Sequence, residues 1–173
     1  SACIIVPLTS SVESQKEGFI KIAEGEILIK LDDDDNLKIS KISHEVSHEF
    51  INELKGRRHP GLVLFSSGST GKSKASLSDF SDILNKFKVP RHSLRTIAFL
   101  LFDHIGGINT LLYTLSNAGC VVAINDRTPE NVLRAIDKYK VELLPTSPTF
   151  INLILLSEAY KRYQLSSLKT VTY

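Results

Sequence analysis

The chain has 173 residues, of which 42% are hydrophobic and 23% are charged, and its formal net charge is +2. These values are ordinary for a soluble globular domain, and so weak a charge excludes a strongly basic protein that binds nucleic acid or a membrane surface. No apolar run is long enough to cross a bilayer and no signal peptide is visible. The spacing of the two cysteines suggests no disulfide framework, so the sequence predicts a protein of the reducing cytoplasm.

Apolar runs alternate with helical stripes along most of the chain. Continuous apolar runs are typical of parallel strands covered on both faces, and they occur at residues 4–6, 62–65, 97–102, 121–124, 143–144 and 171. The spacing of apolar residues predicts helices at residues 80–87 after a Ser78 cap, at 108–115, at 129–139 after a Thr128 cap, and from Pro148 onward after Ser147. The fold class that follows is α/β, with a mainly parallel sheet flanked by helices.

Residues 9–58 are less regular, and there we expect a strand at 27–31 and a helix over 42–54. The acidic run at residues 32–35 predicts a hydrated turn between two strands, because a calcium loop would need alternating ligands and a distal glutamate. Cys3 and Cys120 each lie in an apolar run, so we expect both to be buried, and their spacing suggests neither a metal site nor a disulfide framework.

The most informative segment is a loop of hydroxyls, glycines and lysines that follows the apolar run at residues 62–65. Glycines let the backbone approach a ligand, while N–H groups, hydroxyls and lysines suit phosphate oxygens. The alternative is a solvated turn between a strand and a helix. A P-loop fits less well, because Ser66 stands where that motif requires glycine. The candidate phosphate ligands are Ser66, Ser67, Gly68, Ser69, Thr70, Gly71 and Lys74.

This segment resembles the phosphate-loop signature of the adenylate-forming (AMP-binding) enzymes, which include acyl-CoA synthetases, adenylation domains of peptide synthetases and luciferases. Val63 and residues 66–74 fit every position of that signature, although Ser73 stands where proline is usual. Four other stretches are similar to family segments in the same order, and they lie at residues 2–8, 102–107, 129–149 and 165–169.

The resemblance implies ATP-dependent activation of a small carboxylic acid as an acyl-adenylate, followed by thioester formation with CoA. Residues 66–74 would bind the ATP phosphates, with Lys74 and Thr70 as catalytic residues. Lys72 falls at the variable position of the signature and is expected to be solvated.

For the acid, the resemblance implies binding by His104 and Gly107, with residues 145–147 at the border of the pocket. A structural histidine and a simple turn glycine are the alternatives for the first two. The ligands of Mg²⁺ are expected mostly outside this chain, and no metal ligand, nucleic-acid partner or membrane-spanning segment is expected within it.

The family's segments for adenine, ribose and the C-terminal catalytic lysine have no counterpart in the sequence. We therefore expect a fragment of the large N-terminal AMP-binding domain that is inactive alone, with residues 1–60 upstream and 61–173 carrying the phosphate loop and the acyl pocket. Two other functions stay open at this point. One is a P-loop-like NTPase or phosphotransferase, and the other is a non-catalytic nucleotide-binding or interaction domain.

Overall fold

The structure is a computed structural model that describes residues 3–42, 45–67 and 73–173, without the side chain of Ser67. It divides into two compact units, Ser1–Asn85 and Lys86–Tyr173. The predicted division into an upstream segment, 1–60, and a segment with the phosphate loop and acyl pocket, 61–173, refers to family segments and not to compact units. It stays a prediction.

The first unit contains five described strands and three described α-helices. Residues Ser10–Gln15 form a short 3₁₀ helix that leads directly into the first α-helix. In chain order the elements are β1 (Ile4–Ile5), α1 (Lys16–Ile22), β2 (Ile27–Leu31), β3 (Leu37–Lys41), α2 (Glu49–Gly56), β4 (Gly61–Ser67), β5 (Ser73–Asp79) and α3 (Phe80–Asn85).

A three-stranded sheet with the order β1-β4-β5 forms the centre of the first unit. Strand β1 is parallel to β4, and β5 is antiparallel to β4. Leu62 and Val63 of β4 are buried at 2% and 3% exposure, because helices cover the sheet. A Cβ on Gly61 would lie 2.6 Å from the Leu54 side chain, so α2 packs tightly against the start of β4.

Strands β2 and β3 form a separate antiparallel hairpin, with Ile29 opposite Ile39. One carboxylate organises its turn, since Asp32 accepts bonds from the N–H groups of Asp34 and Asn36 at 3.0 and 2.8 Å. The predicted turn between two strands is therefore confirmed.

The second unit alternates strands and helices, as the apolar pattern predicts. Its last helix is followed by a 3₁₀ turn at Ala159–Arg162. The elements are β6 (Arg95–Ile97), α4 (Ile105–Ser116), β7 (Cys120–Val122), α5 (Pro129–Tyr139), β8 (Leu143–Pro145), α6 (Pro148–Ser157) and β9 (Thr170–Thr172).

All four strands of the second unit are parallel and lie in the order β7-β6-β8-β9. The direction of winding reverses between β6 and β8, so this gap is the topological switch point of the sheet. Helices α5 and α6 bury the main core with the sheet, and Ile97, Val132 and Ile136 are completely inaccessible. The predicted α/β class with a mainly parallel sheet is confirmed here.

The predicted capping residues of two of these helices are confirmed. The Thr128 hydroxyl accepts a bond from the Asn131 N–H at 3.4 Å, and Pro129 is the first residue of α5. The Ser147 hydroxyl accepts a bond from the Phe150 N–H at 3.3 Å and begins α6. Both caps satisfy N–H groups that have no partner inside the helix.

Three predicted boundaries are wrong. Ser78 lies inside β5 instead of capping a helix, and the Asp79 carboxylate accepts the Ser81 N–H at the start of α3. The strand predicted at 97–102 ends at Ile97, because the following backbone turns to meet α4. The helix predicted over 42–54 is Glu49–Gly56, and its cap is the His48 side chain.

The expectation that both cysteines are buried is also wrong. Cys3 and Cys120 are exposed. Cys3 immediately precedes the edge strand β1, and Cys120 is the first residue of the edge strand β7. A residue at the end of an edge strand has fewer neighbours than the centre of the same apolar run. Among the helices described, none combines the length and the apolar character that crossing a membrane requires.

Candidate functional site

The predicted phosphate loop joins the antiparallel strands β4 and β5. Gly68, Ser69, Thr70, Gly71 and Lys72 lie outside the described residues, so their predicted roles stay predictions. The two flanks are described.

Ser66 on β4 and Lys74 on β5 are direct partners in the register, and both are exposed. Directly opposed residues of an antiparallel pair extend to the same face, with Cβ atoms about 5 Å apart. The structure therefore places a residue with a hydroxyl and a residue with an ammonium group on the same face at the two flanks of the loop. Such a pair can meet neighbouring phosphate oxygens as a hydrogen-bond donor and a point charge.

Contacts to the N-terminal helices hold both flanks of the loop in place. The Phe65 ring stacks on the buried Phe19 ring of α1, with centroids 3.9 Å apart and planes within 4°. The Ser73 hydroxyl donates a hydrogen bond to the Gln15 side-chain oxygen at 3.1 Å. Ser73 stands where the family usually has proline, and this bond gives the serine an anchoring contact of its own. Gln15 was not predicted, since nothing in the local sequence indicates a partner 58 residues away.

The strand-loop-strand geometry separates this loop from a P-loop. A P-loop leads from a strand into a helix whose N-terminal N–H groups face the phosphates. Here the chain returns along β5 for seven residues before α3 begins at Phe80. The loop therefore leads from the carboxyl end of β4 into a second strand, and the helix comes only after that strand.

His104 caps helix α4 in the second unit. Its Nδ1 accepts a hydrogen bond from the Gly106 N–H at 3.1 Å, while the His104 carbonyl accepts from Gly107 and Ile108. A neutral imidazole that accepts at Nδ1 carries its proton on Nε2. The exposed ring thus caps the helix with one nitrogen and keeps a donor on the other.

Gly107 allows the closest backbone approach in the second unit. A Cβ at this position would lie 2.0 Å from the Leu101 carbonyl oxygen and 2.9 Å from the Leu100 carbonyl oxygen. No side chain fits there without moving the backbone. The position therefore has a packing role, and the predicted acid-binding role of Gly107 stays a prediction.

A small, mainly apolar cavity lies between β6, the segment after it and α4. The Thr96 hydroxyl belongs to a residue that is 1% exposed, and it has no hydrogen-bond partner among the described residues. The Thr146 hydroxyl, just after β8, also has no hydrogen-bond partner among the described residues, and Thr146 is 5% exposed. A buried polar group without a partner costs about 1–3 kcal/mol. The cavity is lined by residues that include Thr96, Phe99, Leu100, Phe102, Gly107 and Leu111.

Arg127 is another residue that sequence reasoning missed. Its Nε donates to the Phe99 carbonyl at 2.6 Å, just past the carboxyl end of β6. The Phe99 ring in turn contacts the Phe150 ring, with centroids 4.4 Å apart. These contacts fix the first residues after β6 next to the switch point, where open α/β sheets bind their ligands. Within the described ranges, no three acidic, histidine or cysteine side chains are placed to hold a metal ion.

Comparisons with known proteins agree with this geometry. The family model of the AMP-binding enzymes matches residues 1–173. A 4-coumarate–CoA ligase-like protein of Arabidopsis thaliana is 30% identical over 121 residues, which is 65% of this chain and 22% of that protein. The chain thus spans less than a quarter of this relative.

Two solved structures show the same fold. One is the anthranilate CoA ligase AuaEII with anthranoyl-AMP, at a TM-score of 0.55 and 26% identity over 64% of this chain and 23% of that one. The other is the amide bond synthetase McbA of Marinactinospora thermotolerans, at a TM-score of 0.54 and 25% identity over 64% and 23%. The fold is that of the N-terminal domain of adenylate-forming enzymes. The chain belongs to the AMP-binding enzyme family.

Proposed function

We propose that the full-length protein containing this chain activates a carboxylic acid with ATP and passes the acyl group to CoA. A carboxylate oxygen attacks the α-phosphorus, and pyrophosphate leaves as the acyl-adenylate forms. The CoA thiol then attacks the acyl carbon, gives up its proton and releases AMP. The observation that carries the proposal is the pairing of Ser66 with Lys74 across the mouth of a hydroxyl-rich loop, in a chain of this family.

The loop's contribution in this proposal is electrostatic. Residues 66–74 hold the β- and γ-phosphates, and negative charge on these groups grows as pyrophosphate departs. Lys74 and the hydroxyls stabilise that charge and orient the leaving group. Mg²⁺ is implied by the family, and the described residues contain no group of three acidic, histidine or cysteine side chains that could hold it.

We place the acid near the carboxyl end of β6. The apolar walls formed by Phe99, Phe102 and Leu111 suit an aliphatic or aromatic group better than a charged one. His104 begins the helix that forms one wall, and its free Nε2 can donate to the acid's carboxylate. Support for CoA as acceptor comes from the solved anthranilate CoA ligase and the 4-coumarate–CoA ligase-like relative. A cytoplasmic location stays part of the proposal.

The test is exchange of labelled pyrophosphate into ATP by the purified full-length protein. We expect exchange that depends on one class in a panel of aliphatic and aromatic acids, and acyl-CoA formation once CoA is added. Release of ADP without any acid would favour the phosphotransferase alternative. Nucleotide binding without exchange for any acid would favour the non-catalytic alternative.

A further inference from the structure

The β2–β3 hairpin presents its apolar side to solvent. Alternation along the two strands places five large apolar side chains on one face, and each is between 61% and 64% exposed. We call this surface the hairpin face, and it consists of Ile27, Ile29, Leu31, Leu37 and Ile39, with Lys41 opposite Ile27 at the open end.

The opposite side of the hairpin is partly covered at its centre. There Leu28 and Ser40 form a register pair and are half-buried, whereas Lys30 and Lys38 are opposed and exposed. The five apolar side chains are thus more exposed than the centre of the opposite side. An antiparallel sheet with one solvated face normally carries polar side chains on that face. A contiguous apolar surface that faces solvent marks an interaction site, so we expect another surface to cover the hairpin face.

Charge along the hairpin face indicates what covers it. Lys41 stands at the open end, and the turn at the other end carries Asp33, Asp34 and Asp35. None of these four side chains forms an ion pair with the rest of the described chain. A two-fold rotation about an axis in the interface and perpendicular to the strands would put the turn of one copy over the open end of the other. Each Lys41 would then face an acidic turn, so the surface is complementary to itself.

We propose that the hairpin face is the interface of a dimer formed by two copies of this protein. The two hairpins pack face to face about 10 Å apart, with Ile29 and Ile39 near the two-fold axis. Five such side chains offer roughly 300–500 Å² of apolar surface per copy. A stable interface buries about 800 Å² per partner. An interface of this size belongs to the weak, transient class, so we expect the dimer to form only at high protein concentration.

The experiment is sedimentation velocity of the full-length protein between about 2 and 200 μM, a range set by the expected weak affinity. We expect the mean mass to rise toward that of a dimer with concentration. The double variant Ile29→Ser with Ile39→Ser should remain monomeric. Its matched control, Lys30→Ser with Lys38→Ser on the opposite side of the same strands, should dimerise like the unchanged protein. Far-UV circular dichroism checks that both variants are folded.

Charge reversal tests the two-fold arrangement. Lys41→Glu alone, and Asp33→Lys with Asp34→Lys, should each weaken dimerisation about threefold or more, while all three changes together should restore it. A full-length protein that stays monomeric at every concentration overturns the proposal, because its hairpin face is then covered by its own chain or by a different partner. A dimer that survives the serine substitutions also overturns it, because the interface then lies elsewhere.

Discussion

Lys74 lies opposite Ser66 in the register of β4 and β5, whereas Lys72 falls at the variable position of the family signature. We expect Lys74→Ala and Thr70→Ala in the full-length protein to slow adenylation roughly ten- to a hundred-fold. Each removes a charge-assisted contact of about 1.5–3 kcal/mol to the departing pyrophosphate. The KM for the acid should change little, because the proposed function assigns both residues to the triphosphate and not to the acid. Pyrophosphate exchange measures both effects.

Lys72→Ala is the control for this assignment and should be nearly silent. A critical Lys72 with a dispensable Lys74 would show that the signature has been aligned in the wrong register.

His104 combines a structural contact with a proposed contact to the acid, and two substitutions separate them. An asparagine side chain can accept the bond from the Gly106 N–H but offers no imidazole Nε2 to the acid. An alanine side chain can make neither contact. We expect His104→Ala to lower the free energy of unfolding by about 1 kcal/mol and His104→Asn to lower it little. Both should raise the KM for the acid. An unchanged KM in the folded His104→Asn variant would leave the histidine with its capping role alone.

At the scale of elements, Gly107 determines how closely α4 packs against the segment that follows β6. An alanine Cβ would overlap the Leu101 carbonyl at 2.0 Å. We expect Gly107→Ala to destabilise the protein by about 3 kcal/mol in urea unfolding. Gly18 in α1 is the matched control, because a Cβ there meets nothing within 4 Å. Alanine at Gly18 should stabilise the protein by about 0.5–1 kcal/mol through its better helix propensity. Equal effects at the two positions would contradict the close-approach argument.

A second contact between elements joins the loop before β4 to the end of β5. His59 Nδ1 lies 2.7 Å from the Asp79 carboxylate, and the hydrogen bond from His59 lowers the pKa of Asp79, with the Ser81 N–H as a further cause. A carboxyl with a depressed pKa contributes stability that is present above its unfolded pKa, near 4, and is lost as pH falls through the folded value. We expect Asp79→Asn to lower the melting temperature at pH 7 and to have a diminishing effect below pH 4. A difference that stays constant from pH 7 to pH 3 would contradict this.

Elements that depend on contacts close in sequence could be predicted, whereas elements that depend on distant contacts could not. Thr128 with Pro129, and Ser147 with Pro148, act within one helical turn, so the starts of α5 and α6 could be predicted. Strand β5 could not be predicted, because Ala75 and Leu77 are its two apolar residues and the other five are polar. Its extended form depends on pairing with β4.

The same difference between local and distant contacts applies to the candidate site. The pairing of Ser66 with Lys74 agrees with a motif that is continuous in sequence. The Gln15 anchor of Ser73 and the Arg127 contact to the Phe99 carbonyl join distant segments, and no local pattern indicates either. The outward hairpin face shows a further limit, because the apolar residues at 27–31 predict a strand without indicating which face is covered.

On the scale of the whole molecule, residues 1–173 supply only part of what the proposed reaction needs. They span 22% of the curated ligase-like relative and 23% of the solved anthranilate CoA ligase. An enzyme loses nearly all of its activity when several of the groups that act together in catalysis are missing. We therefore expect residues 1–173, produced alone, to give no acid-dependent pyrophosphate exchange under conditions in which the full-length protein is active. The two are compared at equal concentration with saturating ATP and acid, and circular dichroism confirms that the shorter chain is folded. Exchange by the folded shorter chain above the enzyme-free rate would show that the phosphate loop and the acid pocket suffice for adenylation.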